Sequence, residues 1–289
     1  MILLLGESGY IGQAFASEMR QRRINYSSLN RKEYDYSRFD VLVHYLLKNK
    51  IKFVIGAAGY TGKPNVDACE ANREKTIEGN ILLPLTIAQA CYMAGIPYGH
   101  VSSGCVFSGA GEKEHGFSET DPPNFAFDRS NCSFYSGTKA LAEKAIGDVG
   151  EVYIWRLRMP FDEVDSPRNY LSKLLTYDKL LESTNSISHR MDFAKACLDL
   201  WSTKALFGVY NITNPGSVTT RCITGLISRY LYANKVFKFF ENEEEFYKSG
   251  VIAPRSNCVL DTSKLINAGV SIRPVEEALI DSLQRWKSI

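Results

Sequence analysis

The sequence predicts an α/β protein whose parallel sheet is doubly wound, with helices on both faces, and three observations carry that expectation. Short apolar runs alternate with helical patterns throughout residues 1–158. A glycine-rich turn follows the first of those runs directly, at residues 6–12. Small-residue and polar loops close later runs, at the strand ends where open α/β sheets bind their ligands. At 289 residues with a 45% apolar share, the chain can bury one large core or two modest ones.

The first strand is the apolar run at residues 2–5, which stops at Gly6-Glu7-Ser8-Gly9-Tyr10-Ile11-Gly12. A helical pattern follows, with Ile11, Phe15 and Met19 on one face. Strand, glycine turn and helix form the context of a Rossmann-type dinucleotide fingerprint, in which backbone N–H groups at a helix start face a pyrophosphate. Gly6, Gly9, Tyr10, Ile11 and Gly12 are therefore candidate cofactor contacts. The spacing is G-x-x-G-x-x-G rather than the commoner G-x-G-x-x-G, and a plain tight turn is the competing reading. The second strand covers residues 24–28. A site for NAD would place an acidic residue at its end to take the ribose hydroxyls. Here stand Asn30 and Arg31, so the expected cofactor is NADPH, with Arg31 on the 2′-phosphate and NADH less favoured. Glu33 works against that assignment, and a solvated basic loop is the alternative.

Residues 39–50 read as a helix and 53–56 as the third strand. The loop Ala57-Ala58-Gly59-Tyr60-Thr61-Gly62 follows at its C-terminal end, and Ala57, Ala58 and Tyr60 join the cofactor set. A long helical region spans residues 66–94, with Pro84 implying a kink or break. Asn80 within it is either a satisfied polar core residue or a brace for the catalytic strand. Residues 97–102 form the fourth strand, with Ser103 at its end. Residues 107–132 turn irregular and polar, as loops of that length do when they are functional or disordered. A helix at 134–146 sets Tyr135 and Lys139 one turn apart on one face, and residues 152–155 make a fifth strand.

Ser103, Tyr135 and Lys139 are the candidate catalytic set for carbonyl reduction beside a nicotinamide. Tyr exchanges a proton with the carbonyl oxygen, Lys lowers the Tyr pKa by its charge and can hold the cofactor ribose, and Ser hydrogen-bonds the same oxygen. Alone, the Tyr-x-x-x-Lys pair is weak evidence, because a chain with 16 Tyr nearly supplies one such spacing by chance. Its placement after a strand-end Ser and a glycine turn gives it weight.

Beyond residue 158 the pattern breaks into shorter elements. Helices are expected at 190–203, 217–232 and 275–286, a strand at 208–212 and an acidic surface helix at 241–247. The expected division is a Rossmann-type NADP-binding domain over residues 1–158 and a smaller C-terminal α/β substrate lobe over 159–289, with some segments returning to the first domain.

Composition narrows the partners. A formal net charge of +2, without a long basic run, argues against nucleic acid. No window approaches a membrane span, and the apolar start ends too soon for a signal segment. Seven Cys without a Cys-x-x-Cys indicate neither a disulfide framework nor a zinc site, so no metal is expected and a cytoplasmic location is. A homodimer is compatible with the composition. His44, His100, His115 and His189 read as structural, as do the Cys residues other than Cys105.

The glycine turn, the strand-end Ser and Tyr135-Ser136-Gly137-Thr138-Lys139 together resemble the extended short-chain dehydrogenase/reductases, in the branch containing dTDP-4-dehydrorhamnose reductase. Further stretches sharpen the resemblance: Gly62-Lys63-Pro64-Asn65-Val66-Asp67, Ser103-Gly104-Cys105-Val106-Phe107, Pro123-Asn124-Phe125, Arg156-Leu157-Arg158-Met159-Pro160, Pro167-Arg168-Asn169, Thr213-Asn214-Pro215-Gly216 and Ala253-Pro254-Arg255-Ser256-Asn257. These are similar to the bifunctional UDP-4-keto-6-deoxy-glucose 3,5-epimerase/4-reductases, the UDP-L-rhamnose synthases, over nearly the whole chain. The resemblance implies an NADPH-dependent reductase that also inverts C3 and C5, with Cys105 and Lys173 as the epimerase acid and base. The related GDP-fucose synthases pair the Cys with a His, and no His lies between His115 and His189 here. Arg168, Asn169 and Arg255 are candidate contacts for the UDP-sugar, with surface salt bridges the competing reading of the two Arg. Two other readings stay open: a UDP-2-acetamido-2,6-dideoxy-hexulose 4-reductase, and a non-catalytic NADP-binding regulatory subunit.

Overall fold

The computed structural model describes residues 1–111 and 116–288, so His115 lies outside the described residues. Six parallel strands form the main sheet: β1 (Ile2–Leu5), β2 (Tyr26–Leu29), β3 (Phe53–Gly56), β4 (Tyr98–Ser103), β5 (Val152–Leu157) and, beyond a short β6 (Thr184–Asn185), β7 (Gly208–Asn211). Their order is β2-β1-β3-β4-β5-β7. The order reverses direction at β1, so the crevice between β1 and β3 is the switch point at which such sheets take a ligand. β1, β3 and β5 are buried along their whole length, as central parallel strands covered on both faces must be.

One face is covered by the helices Tyr10–Gln21 and Arg190–Ser202, which pack Phe15, Met19 and Phe193 onto Phe53 and Trp155. The other is covered by Phe39–Lys48 and Leu83–Ala94, with Leu42, Leu46, Ile87 and Cys91 against Leu3, Leu5 and Val54. Residues 190–211 thus belong to the sheet layers, with β7 continuing the ladder beside β5. A separate small core, with Phe161, Leu171, Ile187, Ile223 and Leu279, holds most of the second half. Within it β6 pairs antiparallel with β8 (Val218–Thr219).

Local chemistry moves several boundaries from their expected places. β2 starts at Tyr26 because Arg23 takes a left-handed turn (φ 54) and the Ile24 amide bonds back to the Met19 carbonyl. The region 66–94 is broken into helices Asp67–Ala71 and Arg73–Ile77, a π-helical turn Glu78–Leu82, and helix Leu83–Ala94. Pro84 sits in the first turn of the last helix, where its missing N–H leaves no intrahelical bond unmade. The acidic surface helix runs over Glu243–Lys248, capped by the Asn242 side chain on the Glu245 amide. The excursion after Val106 is tied to the far end of the chain by bridges of Gly109 with Cys258 and of Phe117 with Leu260. Among the described residues no helix is long and apolar enough to cross a membrane.

Candidate active site

The glycine turn is shaped by close approach. Gly6 has φ +91, and a Cβ there would lie 2.6 Å from the Ala58 amide nitrogen. A Cβ on Gly12 would lie 2.0 Å from the Gly6 carbonyl oxygen. Only hydrogen at both positions lets β1, the 57–58 loop and the helix start meet. Gly9 caps helix Tyr10–Gln21 without a side-chain hydrogen bond, and among the described residues no side chain bonds the N–H groups of its first turn. This cradle fits the pyrophosphate of a dinucleotide. The Tyr10 hydroxyl donates to Asp162 at 2.8 Å, and Arg190 lies over its ring while pairing with Asp162. That cluster locks the turn to the second half of the chain.

The opposite wall of the crevice is the loop after β3. The Tyr60 amide donates to Asn80 Oδ1 at 2.9 Å, and Asn80 Nδ2 donates to the Tyr60 carbonyl at 2.8 Å. Nδ2 also reaches Thr138 Oγ1 at 3.3 Å on the Tyr135 helix. Asn80 is therefore a brace, as one of its two sequence readings had it, but between the cofactor loop and the catalytic helix.

Ser103 ends β4, and its hydroxyl accepts from the Cys105 amide at 3.2 Å. Tyr135 lies in the first turn of helix Phe134–Ile146, which Ser133 caps by accepting from the Ser136 amide. Burial, then the nearby Cys105, raise the Tyr135 pKa, while a hydrogen bond to Ser103 and the charge of Arg158 oppose the rise. The phenol thus stays protonated across the neutral range, the form that gives a proton to a carbonyl oxygen. Lys139, one turn on, is buried, and burial pulls its pKa down to about 8 against the opposing pull of Glu143. Its ammonium donates to the Val101 carbonyl at 2.9 Å and stands 3.3 Å from His100 Nε2. Burial, and then Lys139, hold His100 well below the usual pKa, so it stays neutral and accepts from the ammonium. Its Nδ1 is then the protonated nitrogen, 3.1 Å from the Tyr98 hydroxyl.

Cys105 occupies the short turn Gly104–Val106 beyond β4, partly exposed. Arg158, just past β5 and fully buried, donates from Nη1 to its sulfur at 3.1 Å. The same guanidinium donates to Asn185 Oδ1 at 2.6 Å and to the Ser256 carbonyl. Lys173 lies on helix Tyr170–Thr176, half-buried and within electrostatic reach of Cys105. Burial, then repulsion from Arg168 and Arg255, lower its pKa, and Cys105 opposes the fall. Among the described residues no hydrogen bond or ion pair holds its ammonium.

The three candidate sugar contacts differ. Arg255 is held in a two-pronged pair with Asp67, both bonds 2.9 Å. Arg168 donates to Thr61 Oγ1 and the Gly62 carbonyl, each at 2.9 Å. Both line the junction between the loop after β3 and the second half. Asn169 is fully enclosed: it caps helix Tyr170–Thr176 through Oδ1 and donates from Nδ2 to Asp162 and to the Val164 carbonyl. Its amide is spent within the chain, so its part here is structural rather than a contact to sugar. At the cofactor end, Asn30 donates to Glu33 at 3.1 Å, and Arg31 is exposed beside Asp35 and Tyr36.

Arg158, Asn80 and His100 were not assigned these contacts from the sequence. For Arg158 a signal existed: Arg156 and Arg158 stand two apart at the end of an otherwise apolar strand, hence on one face. Arg156 answers the first half of that signal, paired with Glu143 at 2.7 Å in full burial.

Fold and site together define a class, the dinucleotide-binding reductases built on a doubly wound sheet with a Ser–Tyr–Lys set. The chain belongs to the RmlD substrate binding domain family, whose model matches residues 1–288, and so to the dTDP-4-dehydrorhamnose reductase branch of the extended short-chain dehydrogenase/reductases. It is 32% identical over 286 residues to a bifunctional dTDP-4-dehydrorhamnose 3,5-epimerase/dTDP-4-dehydrorhamnose reductase of Arabidopsis thaliana, covering 96% of this chain and 90% of that one. It is 31% identical to a trifunctional UDP-glucose 4,6-dehydratase/UDP-4-keto-6-deoxy-D-glucose 3,5-epimerase/UDP-4-keto-L-rhamnose-reductase of the same plant, again over 96% of this chain but only 41% of that protein. Among solved structures, the UDP-rhamnose synthase of Acanthamoeba polyphaga mimivirus superposes with a TM-score of 0.88 at 24% identity, over 98% of each chain. A dTDP-4-dehydrorhamnose reductase of Clostridium acetobutylicum gives 0.80 at 20% identity, again over 98% of each.

Proposed function

We propose that this protein converts UDP-4-keto-6-deoxy-D-glucose to UDP-L-rhamnose by 3,5-epimerisation and NADPH-dependent reduction of the 4-ketone. The observation that supports this reading is that Lys173 and Tyr135 both sense Cys105 electrostatically, which sets two further proton-carrying groups near the reductase set. A carbonyl reductase alone has no use for two further proton-carrying groups there. A C4 ketone acidifies C3–H and C5–H, because loss of either proton leaves an enolate with its charge on the C4 oxygen. One group takes the proton and the other returns it to the opposite face. Lys173, drawn toward neutrality by burial and by two neighbouring guanidiniums, suits that exchange. The Arg158 guanidinium donates to the Cys105 sulfur and orients it for that exchange.

Ser103 and Tyr135 hold the enolate oxygen during inversion, and Tyr135 then protonates the C4 oxygen during reduction. The bound nicotinamide supplies the hydride. Gly6, Gly9 and Gly12 with the helix start hold its pyrophosphate, Arg31 faces the 2′-phosphate, and Lys139 holds the ribose. Arg168 and Arg255 meet the diphosphate in this reading, Arg255 by exchanging part of its pairing with Asp67. The sequence division is retained as part of the proposal: residues 1–158 bind the cofactor and 159–289 supply the sugar side, with residues 190–211 returning to the sheet layers of the first part.

The test supplies UDP-4-keto-6-deoxy-D-glucose and NADPH in D2O and identifies the product by NMR. UDP-L-rhamnose carrying deuterium at C3 and C5 supports both activities. A 6-deoxy product with C3 and C5 unchanged removes the epimerase half, and turnover of only a 2-acetamido sugar moves the substrate. Cys105→Ala should end deuterium exchange, while Tyr135→Phe should mainly stop reduction.

A further inference from the structure

The acidic residue that selects a ribose diol is ordinarily sought at the end of β2, where this chain has Asn30 and Arg31. The fold brings a carboxylate to that place by another route. Glu7 follows Gly6 in the glycine turn, and its side chain lies across the β1–β2 crevice. Oε1 accepts from the Tyr26 hydroxyl at 2.9 Å and Oε2 from the Ser28 hydroxyl, both on β2. Ser28 is one residue short of the end of that strand. Arg20 stands 3.7 Å from Oε1 and is largely exposed, so solvent screens most of its effect on the Glu7 charge. The carboxylate is therefore fixed at the edge of the cradle.

We propose that Glu7 is a specificity-determining residue for the dinucleotide: it accepts from the adenosine ribose hydroxyls and opposes a 2′-phosphate, so that NADH is taken alongside NADPH. This rests on the preceding reading that the cradle holds such a cofactor. A carboxylate accepts two hydroxyl donors well, and NADH offers both hydroxyls. A 2′-phosphate replaces one donor with a doubly charged acceptor, which a fixed carboxylate repels. Arg31 acts in the opposite sense from the turn after β2, exposed and without a hydrogen bond or ion pair among the described residues. The site thus carries one group for the phosphate and one against it, and the balance between them sets the preference.

The experiment titrates the full chain with NADPH and with NADH and reads dissociation constants from nucleotide fluorescence, without substrate or turnover. Wild type is expected to bind both within roughly tenfold of each other. Glu7→Gln removes the charge while keeping the shape, and should raise the preference for NADPH roughly tenfold. Glu7→Lys should raise it further. Loss of the Tyr26 and Ser28 bonds alone would weaken both nucleotides equally, and an unchanged preference in both variants overturns the role given to Glu7. Failure of wild type to bind either nucleotide overturns the functional reading and this inference with it.

Discussion

The Arg158 guanidinium donates to the Cys105 sulfur at 3.1 Å, and that bond fixes which way the sulfur can act. A guanidinium has only donors, so the thiol cannot give its proton to Arg158 and must direct it toward the open side. Arg158 is itself held by Asn185 and the Ser256 carbonyl, which aims the fork. Arg158→Lys keeps the charge but loses the fork. Deuterium exchange at C3 and C5 should slow roughly tenfold or more, the effect of losing a charge-assisted bond of about 1.5 kcal/mol. Reduction of a ketosugar supplied already inverted should change much less, and parallel NMR and absorbance assays separate the two.

Asn80→Leu tests the clamp between the loop after β3 and the catalytic helix. The substitution leaves the Tyr60 amide and carbonyl without their partner and removes the link to Thr138. The expected cost is about 2–4 kcal/mol, read from the urea midpoint. Nucleotide affinity should fall with it, because Tyr60 and its neighbours wall the crevice. Unchanged affinity at reduced stability would confine Asn80 to the core.

Gly12→Ala should be more damaging than its size suggests. The added carbon would lie 2.0 Å from the Gly6 carbonyl oxygen, which is backbone and cannot rotate away. The helix start must retreat from β1, and the uncapped N–H groups retreat with it. Nucleotide binding should be lost in titration even where circular dichroism shows the helices retained.

The parts of this molecule that were legible from sequence are those governed by local rules. Apolar runs bounded by glycine gave β1 and β3, and the one-turn spacing put Tyr135 and Lys139 on one helix face. The π-helical turn at Glu78–Leu82 was not legible beyond the break signalled by Pro84, and Asn80 within it bonds Tyr60 and Thr138, 20 and 58 residues away in the chain. Arg158 was quoted within a motif yet its work was hidden, since its partners lie 53, 27 and 98 residues away in the chain. Asn169 joins the sugar contacts through the Pro167-Arg168-Asn169 resemblance, and only the fold reveals that its amide is consumed by Asp162 and Val164. Glu7 escaped for the opposite reason, as its position in the glycine turn gave no hint that it would cross to β2.

Lys139→Met separates the stability of the site from its chemistry. Burial brings the Lys139 pKa from 10.5 to about 8, so at pH 7 the fold carries a charged ammonium at a cost. Between pH 8 and 10.5 the unfolded chain binds a proton there that the folded chain does not. Stability contributed by Lys139 therefore rises with pH across that window and is lowest below pH 8. The Met variant lacks this dependence. It forfeits the bonds to Val101 and His100, which offsets part of the gain, but its Tm relative to wild type should be highest near pH 7 and fall through pH 8–10.5. Differential scanning calorimetry across that range checks the slope, and a flat difference would mean the ammonium is not buried as described. Reduction should behave the other way. Wild-type kcat/KM should decline as pH passes about 8 and the Lys139 charge beside the site is lost, while the Met variant should reduce ketone weakly at every pH.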